Sequence, residues 1–212
     1  MLEFRFSIPH SALSIGPMPS PVGHFIGGVA AGWLVAGAPK ERPAMPGIAG
    51  VALWREAMVF GALGVFPDLD LLYGTHRTAT HSIGAAFTVG ALAAAAAWLR
   101  PAAGKATGKV FGVEVWQFAL ACAAACLSHT LLDWLGQDTS APFGVRALWP
   151  FSTTYYESGL HLFPPISRRY HQGWTFIEQN VRAIVVEVVI LGPILLLVLA
   201  GRRRHRTKVE RR

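Results

Sequence analysis

A histidine and an aspartate four residues apart, His129 and Asp133, are the most informative pair of side chains in this 212-residue sequence. Residues at this spacing lie on one face of a helix, one turn from each other. An imidazole and a carboxylate placed in this way can bind the same divalent cation. The alternative is a His–Asp hydrogen bond that joins two helices. Because the pair lies in an apolar run, where an ionisable group is costly without a partner or a function, we favour the metal pair.

Two further stretches carry residues of the same types. Asp68 and Asp70 follow Pro67, and carboxylates this close raise each other's pKa unless a cation lies between them. The alternative is an ordinary acidic turn at the end of a helix. His76 and His81 lie in the next connection along the chain, for which a polar surface loop is the alternative.

His24 completes the set, because it opens the first apolar segment of the chain. Imidazole and carboxylate ligands suit zinc first, then manganese or iron. The set exceeds the four ligands of a structural zinc site, so we predict one or two ions. The two cysteines, Cys122 and Cys126, lie in an alanine-rich run and are predicted to be packing residues. The predicted metal ligands are His24, Asp68, Asp70, His76, His81, His129 and Asp133.

Five apolar segments must position these ligands. The composition is 52% apolar with 15% charged residues, against about 25% charged in typical soluble proteins. Each segment is close to the roughly 20 residues that a bilayer requires. We therefore predict an all-α fold, a polytopic bundle of about five transmembrane helices that forms a single domain over residues 1–212, with no cleaved signal peptide before it. The segments cover residues 22–38, 50–66, 83–99, 115–136 and 183–200.

The basic residues predict the orientation. The net charge is +7, and seven of the nineteen Lys and Arg residues lie in 202–212, directly after the last apolar segment. This placement is typical of a cytoplasmic tail beside anionic lipid, so no nucleic-acid partner is expected. With that tail inside, the cytoplasmic side carries thirteen of the nineteen basic residues. The six outside the tail are Lys40, Arg42, Arg55, Arg100, Lys105 and Lys109.

This orientation places all the predicted ligands at the outer face of the membrane. Histidines with unrelated structural roles would not be expected to gather there. A metal or proton transporter is an alternative function, since intramembrane His and Asp residues also line ion paths. Its ligands would lie at the bilayer midplane, however, with a route to both faces.

In chain order, His24, Pro67-Asp68-Leu69-Asp70, His76-Arg77-x-x-Thr80-His81-Ser82 and His129-x-x-x-Asp133 resemble the metal-dependent hydrolases associated with the bacterial inner membrane. Some members of that family are labelled LexA-binding. The resemblance covers roughly residues 20 to 145 and a final hydrophobic helix. The family is distantly similar to zinc-dependent phospholipase C and the P1-type nucleases, whose clustered zinc ions cleave phosphoesters. The resemblance implies a hydrolase in the cytoplasmic membrane.

We therefore expect a metal-assisted hydrolase in which Asp70 or Glu157 accepts a proton from the attacking water and Arg77 holds an anionic group. The alternative for Glu157, which lies four residues before His161, is an ordinary interfacial loop. A site at the level of the lipid headgroups predicts membrane lipid as a partner, and an amphiphilic or phosphate-bearing small molecule as the substrate.

Two questions stay open at the level of sequence. The first is whether a bound metal is catalytic, since a non-catalytic membrane protein with a structural metal is another alternative. The second concerns Glu187, a charged residue inside the last apolar segment. It is expected either to pair with another helix or to reach toward the metal site.

Overall fold

The structure, a computed structural model, describes residues 19–38, 46–73, 76–99, 108–139 and 141–209. This part of the chain is mostly helical, which confirms the predicted all-α fold. The bounds of the first four helices agree closely with the apolar segments of the sequence. The α-helices are α1 (Pro21–Ala36), α2 (Pro46–Val65), α3 (Ile83–Trp98), α4 (Val115–Leu135) and α5 (Trp174–Val209).

Shorter elements fill the connections. Short 3₁₀ helices cover Phe66–Tyr73 directly after α2, Ala79–His81 before α3, and Tyr170–Gln172 before α5. A two-stranded hairpin, Lys109–Val110 paired with Val113–Glu114, leads into α4 and was not predicted. The last helix is much longer than its apolar segment, because it begins at Trp174 and continues into the basic tail.

Glycines bring α1 and α2 into direct backbone contact. A Cβ atom on Gly28 would collide with the backbone of Phe60 and Gly64, and one on Gly64 would collide with the backbone of His24 and Gly28. These contacts run in opposite directions along the two helices, which are therefore antiparallel. The close approach sets the first turn of α1 beside the last turn of α2.

The other helices pack in directions that gather the same ends. Leu132 of α4 lies against Gly27 of α1, and Ala119 of α4 lies against Gly90 of α3. With the ligand contacts described below, these positions make α4 antiparallel to both α1 and α3. The last helix is parallel to α1, since Glu187 contacts Ser20 at one end and Arg202 contacts the Trp33 carbonyl at the other. The start of α1, the end of α2, the start of α3 and the end of α4 therefore meet at one end of the bundle.

A buried ion pair holds the opposite end. Arg202 of α5 donates to Glu56 of α2 with an Nη2–Oε2 distance of 2.6 Å, and both side chains are buried. The Arg202 guanidinium also lies 5.3 Å from the ring centroid of Trp33 in α1. Glu56, an acidic residue inside the second apolar segment, thus has a partner of opposite charge. That partner, Arg202, belongs to the segment predicted as a tail.

The outer surface of the bundle is apolar. Two helices, α4 and α5, are long and apolar enough to cross a membrane, while α1 and α3 are apolar but shorter. Large aromatic residues are exposed at the end opposite the ligands, namely Trp54, Trp98 and Trp116. The predicted orientation also depends on residues outside the described ranges, among them Lys40, Arg42, Arg100, Lys105 and the final residues 210–212, and it stays a prediction.

Candidate metal centre

Four pieces of the chain deliver the predicted ligands to one point. His24 lies in the first turn of α1, whose N-terminal cap is the Ser20 hydroxyl, which accepts from the Gly23 N–H at 3.2 Å. Asp68 lies in the 3₁₀ helix that follows α2. Ser82 caps α3 and fixes the connection that carries His81 just before that helix. His129 and Asp133 lie near the end of α4.

Five of the predicted ligands lie close together, and we call these five side chains the inner cluster. Asp133 lies at its centre, surrounded by His24, Asp68, His81 and His129. Its Oδ1 is 3.3 Å from the Nε2 of His24. Its Oδ2 is 3.4 Å from the Nε2 of His81 and 3.4 Å from the Nε2 of His129. Asp68 closes the other side, with its Oδ1 3.6 Å from the Nε2 of His81 and 3.5 Å from that of His129.

The atoms of the inner cluster that point at one another have no hydrogen-bond partner in the described part of the protein. They are the Nε2 atoms of the three histidines, Oδ1 of Asp68 and both carboxylate oxygens of Asp133, all of them buried. A buried polar atom without a partner costs about 1–3 kcal/mol. A cation among them would satisfy all of them at once.

The spacing of these atoms also fits a cation. Ligand atoms about 2.1 Å from a tetrahedral zinc ion are about 3.4 Å from one another. The nitrogen–oxygen distances of the inner cluster lie between 3.3 and 3.6 Å. His129 belongs to two groups of three residues whose ligand atoms all lie within 4.8 Å of one another. The first group adds His24 and Asp133, and the second adds Asp68 and His81.

The outer ring nitrogens of two histidines have fixed partners. The Nδ1 of His129 lies 2.7 Å from the carbonyl oxygen of Gly64, to which it donates. The Nδ1 of His81 lies 3.3 Å from Asp70 Oδ2 and 2.9 Å from Thr80 Oγ1. A partner of this kind holds the proton on the outer nitrogen, so the lone pair of Nε2 is directed at the cluster.

Asp70, predicted as a ligand, therefore contacts the outer side of His81. It accepts a hydrogen bond from the Thr80 hydroxyl at 2.7 Å, and its Oδ1 lies 3.2 Å from the Nδ1 of His76. The Nε2 of His76 is buried and has no hydrogen-bond partner among the described residues. Asp70, His76 and His81 form a third group with ligand-like spacing, so the geometry accommodates one ion or two.

The pKa values of His81 and Asp70 are set more by their charged neighbours than by burial. Burial disfavours the charged form of His81, but the nearby carboxylates of Asp68 and Asp70 outweigh this and raise its pKa to about 9. Burial likewise acts to raise the pKa of Asp70, but hydrogen bonds with His76 and His81 hold it well below 3.8. The two aspartates thus stay ionised and favour a positive charge in the cluster, which either a proton on His81 or a metal cation can supply.

Two residues that were predicted to act on the substrate lie outside the inner cluster. The buried side chain of Arg77, whose backbone φ is 59°, forms an ion pair with Asp138. Glu157 lies in the connection between α4 and α5, with its Oε1 3.8 Å from the Nδ1 of His161. Their predicted roles in catalysis stay predictions.

The role of Glu187 is clearer in the structure. Its carboxylate accepts hydrogen bonds from the backbone N–H of Ser20, at 2.5 Å, and from the Ser20 hydroxyl. It also lies against Gly23, where a Cβ atom would be 2.7 Å from its Oε2. Glu187 therefore pairs with another helix, as one of the two alternatives proposed, and ties α5 to the turn that carries His24.

Three groups around the site were not identified from the sequence. The Thr80 hydroxyl and the Gly64 carbonyl orient two of the histidines, and Asp138 pairs with Arg77. The position of Thr80 next to His81 is a weak signal that its hydroxyl could orient the imidazole ring. Nothing in the sequence distinguishes Gly64 from the other glycines or Asp138 from an ordinary loop aspartate.

Comparison with known proteins supports the membrane assignment. A family model described as the YdjM inner membrane protein matches residues 18–206, which is most of the chain. Neither the curated proteins nor the solved structures gave a match. The family supports the predicted bacterial inner-membrane location, while the similarity to phospholipase C stays a prediction.

Proposed function

Because the chain belongs to the YdjM inner membrane protein family, we propose that it is a membrane-embedded, metal-dependent hydrolase with its site at the outer face of the inner membrane. Its substrate would be a phosphoester or a related amphiphile. In this proposal the five α-helices all cross the bilayer, so that the helix ends that carry the inner cluster face outward.

The observation that carries the proposal is the inner cluster itself. Five ionisable side chains from four separate segments, four of them buried, direct six polar atoms at one point without satisfying one another. A cluster that only joined helices would be expected to pair its donors with its acceptors at hydrogen-bond distance. Zinc is the best match for three imidazoles and two carboxylates, followed by manganese or iron.

Each residue then has a defined task. His24, His81, His129, Asp68 and Asp133 would hold one or two ions between them, and a divalent cation with an open position would lower the pKa of a coordinated water to about 7. Asp70 and Thr80 orient His81.

The Asp70–His76 pair stands beside the cluster with an unpartnered Nε2 on His76, which suits it to accept or return a proton. Asp68 is the most exposed member of the inner cluster, with 11% of its side chain accessible, which marks the side open to substrate.

The exposed surface supports a membrane substrate. Aromatic side chains are exposed in the connection between α4 and α5 and at the start of α5. Phe151 is 89% exposed and Tyr170 is 80% exposed. Aromatic residues with this exposure are typical of the headgroup region of a bilayer. A site at this level is accessible to lipid headgroups as well as to soluble molecules.

The test is the metal content of the detergent-purified protein, measured by mass spectrometry, for the wild type and for a His129→Ala, Asp133→Ala double variant. We expect about one or two ions per wild-type chain and none in the double variant. A His171→Ala, Glu178→Ala variant is the matched control, because it removes the same types of side chain from exposed positions and leaves the inner cluster intact. A wild type without metal after gentle purification would overturn the proposal.

Activity separates a hydrolase from a structural metal protein. The metal-loaded wild type is assayed with bis(p-nitrophenyl) phosphate and with phospholipids in mixed micelles. We expect hydrolysis that the double variant lacks and the control variant retains. Metal at full occupancy with no hydrolysis of either substrate class would favour the structural metal, and metal transport in proteoliposomes would favour the transporter.

A further inference from the structure

A second arginine stands closer to the inner cluster than its place in the sequence suggests. Burial lowers the pKa of the Arg168 guanidinium, and the charge of Arg77 acts in the same direction, while the carboxylates of Asp68 and Asp133 act to raise it. In the described part of the chain, no side-chain hydrogen bond or ion pair engages the Arg168 guanidinium, and the residue is exposed. Arg168 is therefore an exposed cation within electrostatic reach of the inner cluster, and its donors are available to another molecule.

The backbone that carries Arg168 is held in place from two sides. On one side, Gln137 donates to the Phe163 carbonyl at 3.0 Å, so the chain leading to Arg168 is fastened to the end of α4, a few residues beyond Asp133. On the other side, Asn180 of α5 makes two hydrogen bonds with the backbone of Ser167, of 2.7 and 3.1 Å. The backbone on either side of Arg168 is thus fixed relative to the end of α4, which carries Asp133, and to α5.

The other arginine near the cluster is already engaged. Arg77 is buried and paired with Asp138, which also accepts a hydrogen bond from the Gly144 N–H at 2.9 Å. Of these two arginines, Arg168 is the one placed to meet an incoming anion.

The neighbours of Arg168 indicate where that anion comes from. Tyr170 and Trp174, which follow it closely in the sequence, are 80% and 76% exposed. Tyrosine and tryptophan residues with this exposure favour the bilayer interface, where the phosphates of lipid headgroups also lie. A guanidinium binds phosphate through two parallel hydrogen bonds, which gives orientation as well as affinity.

We infer that Arg168 is the anion-anchoring residue of this site, and that it binds the phosphate group of a phosphate-bearing amphiphile and directs the scissile bond toward the inner cluster. The substrate role rests on the proposed hydrolase function, while the binding of the anion does not. The same chemistry would recognise a free phosphate, so the test includes both sources.

The experiment measures binding of two probes to the full-length, zinc-loaded protein in detergent by calorimetric titration. The probes are dioctanoyl phosphatidic acid in mixed micelles and inorganic phosphate. Arg168→Ala should raise the Kd for phosphatidic acid about tenfold, the effect of losing a charge-assisted hydrogen-bonded contact. Arg168→Lys should recover part of that loss. Arg169→Ala, which removes the adjacent exposed arginine, should change the Kd by less than twofold.

The outcomes are distinct. Equal losses in Arg168→Ala and Arg169→Ala would show a general effect of surface charge and overturn the assignment, as would a wild type that binds neither probe. Phosphatidic acid binding well above that of inorganic phosphate supports a lipid source, and equal binding supports a soluble phosphate. Metal content is measured on every variant: a wild type that binds no zinc but keeps the Arg168-dependent binding would refute the hydrolase and leave the anion site standing.

Discussion

The two ends of the bundle both contain buried charged side chains, but the charges are used differently. At the end away from the ligands, Glu56 and Arg202 meet at 2.6 Å, and the guanidinium also lies over Trp33. At the ligand end, the groups of the inner cluster stand 3.3 to 3.6 Å apart with their inner atoms unpartnered. Glu56 and Arg202 therefore satisfy each other and join two helices, whereas the side chains of the inner cluster leave room for a cation between them.

The largest expected effect is from removing the centre of the inner cluster. Asp133→Asn should lower the affinity for zinc by more than about 100-fold, since loss of an outer partner alone costs 10- to 100-fold. Above about pH 9, where His81 has lost its proton, the metal-free variant should be at least as stable as the metal-free wild type, because it loses a buried carboxylate without a hydrogen-bond partner in the described part of the protein. Competition with a chelator and urea unfolding measure the two quantities. A metal-free Asp133→Asn protein that is markedly less stable would mean that the cluster is structural.

The opposite end should respond in the reverse way. Glu56→Gln breaks a buried ion pair and should reduce the free energy of unfolding by about 3–5 kcal/mol while zinc affinity stays within a few-fold of the wild type. The Glu56→Leu, Arg202→Leu double variant replaces both charges and should recover much of the loss. Zinc affinity that falls along with stability in Glu56→Gln would show that the two ends are coupled.

The pattern of apolar segments in the sequence was enough to predict most of the helices and the end of the bundle at which the ligands meet. The apolar segments predicted four helices to within a few residues, and alternating helix directions brought ligands as distant as His24 and Asp133 to one end. It did not predict which ring nitrogen faces the cluster, because that depends on the Gly64 carbonyl, 65 residues from His129. The pairing of Arg77 with Asp138, 61 residues away, was inaccessible for the same reason.

The burial of Arg202 is another feature that could not be predicted from the local sequence. Arginines that follow an apolar run are typical of a solvated tail, and nothing in the local sequence sets Arg202 apart from its neighbours. It is buried because α5 continues as a helix and carries it past Trp33 to Glu56. Only the packing of helices distant in sequence determines that contact.

The pH dependence of the metal-free protein sharpens the comparison next. The pKa of His81 is raised to about 9 in the folded protein, above its ordinary value of 6.5. Its protonation therefore stabilises the fold fully below about pH 6.5, and this stability is lost as the pH rises toward about 9. The shift corresponds to about 3 kcal/mol.

Unfolding by urea at several pH values measures this loss. His81→Gln should remove the decline between pH 6.5 and 9, and saturating zinc should remove it as well, because the cation replaces the proton. Glu56→Gln should keep the decline, since that residue lies at the other end of the bundle. A decline that persists unchanged in His81→Gln would assign it to a different group.

The residues that orient the cluster should have intermediate effects. Asp70→Asn weakens the partner of the outer His81 nitrogen and should lower zinc affinity by about 10- to 100-fold without abolishing binding. Thr80→Ala should act in the same direction with a smaller change, because Asp70 remains. A complete loss of metal in Asp70→Asn would instead make Asp70 a direct ligand and support a second ion at the group with His76.

The smallest expected effect concerns the link between α5 and the first turn of α1. Glu187→Gln leaves one oxygen to accept from Ser20 and should reduce the free energy of unfolding by about 1 kcal/mol. Zinc affinity should fall a few-fold, because the turn that holds His24 is less firmly fixed. In a His24→Ala background, the same substitution should leave zinc affinity unchanged, since the link reaches the metal through that histidine. If zinc affinity falls equally in both backgrounds, Glu187 acts on the whole bundle, and the two ends differ less in their use of buried charge than the contacts indicate.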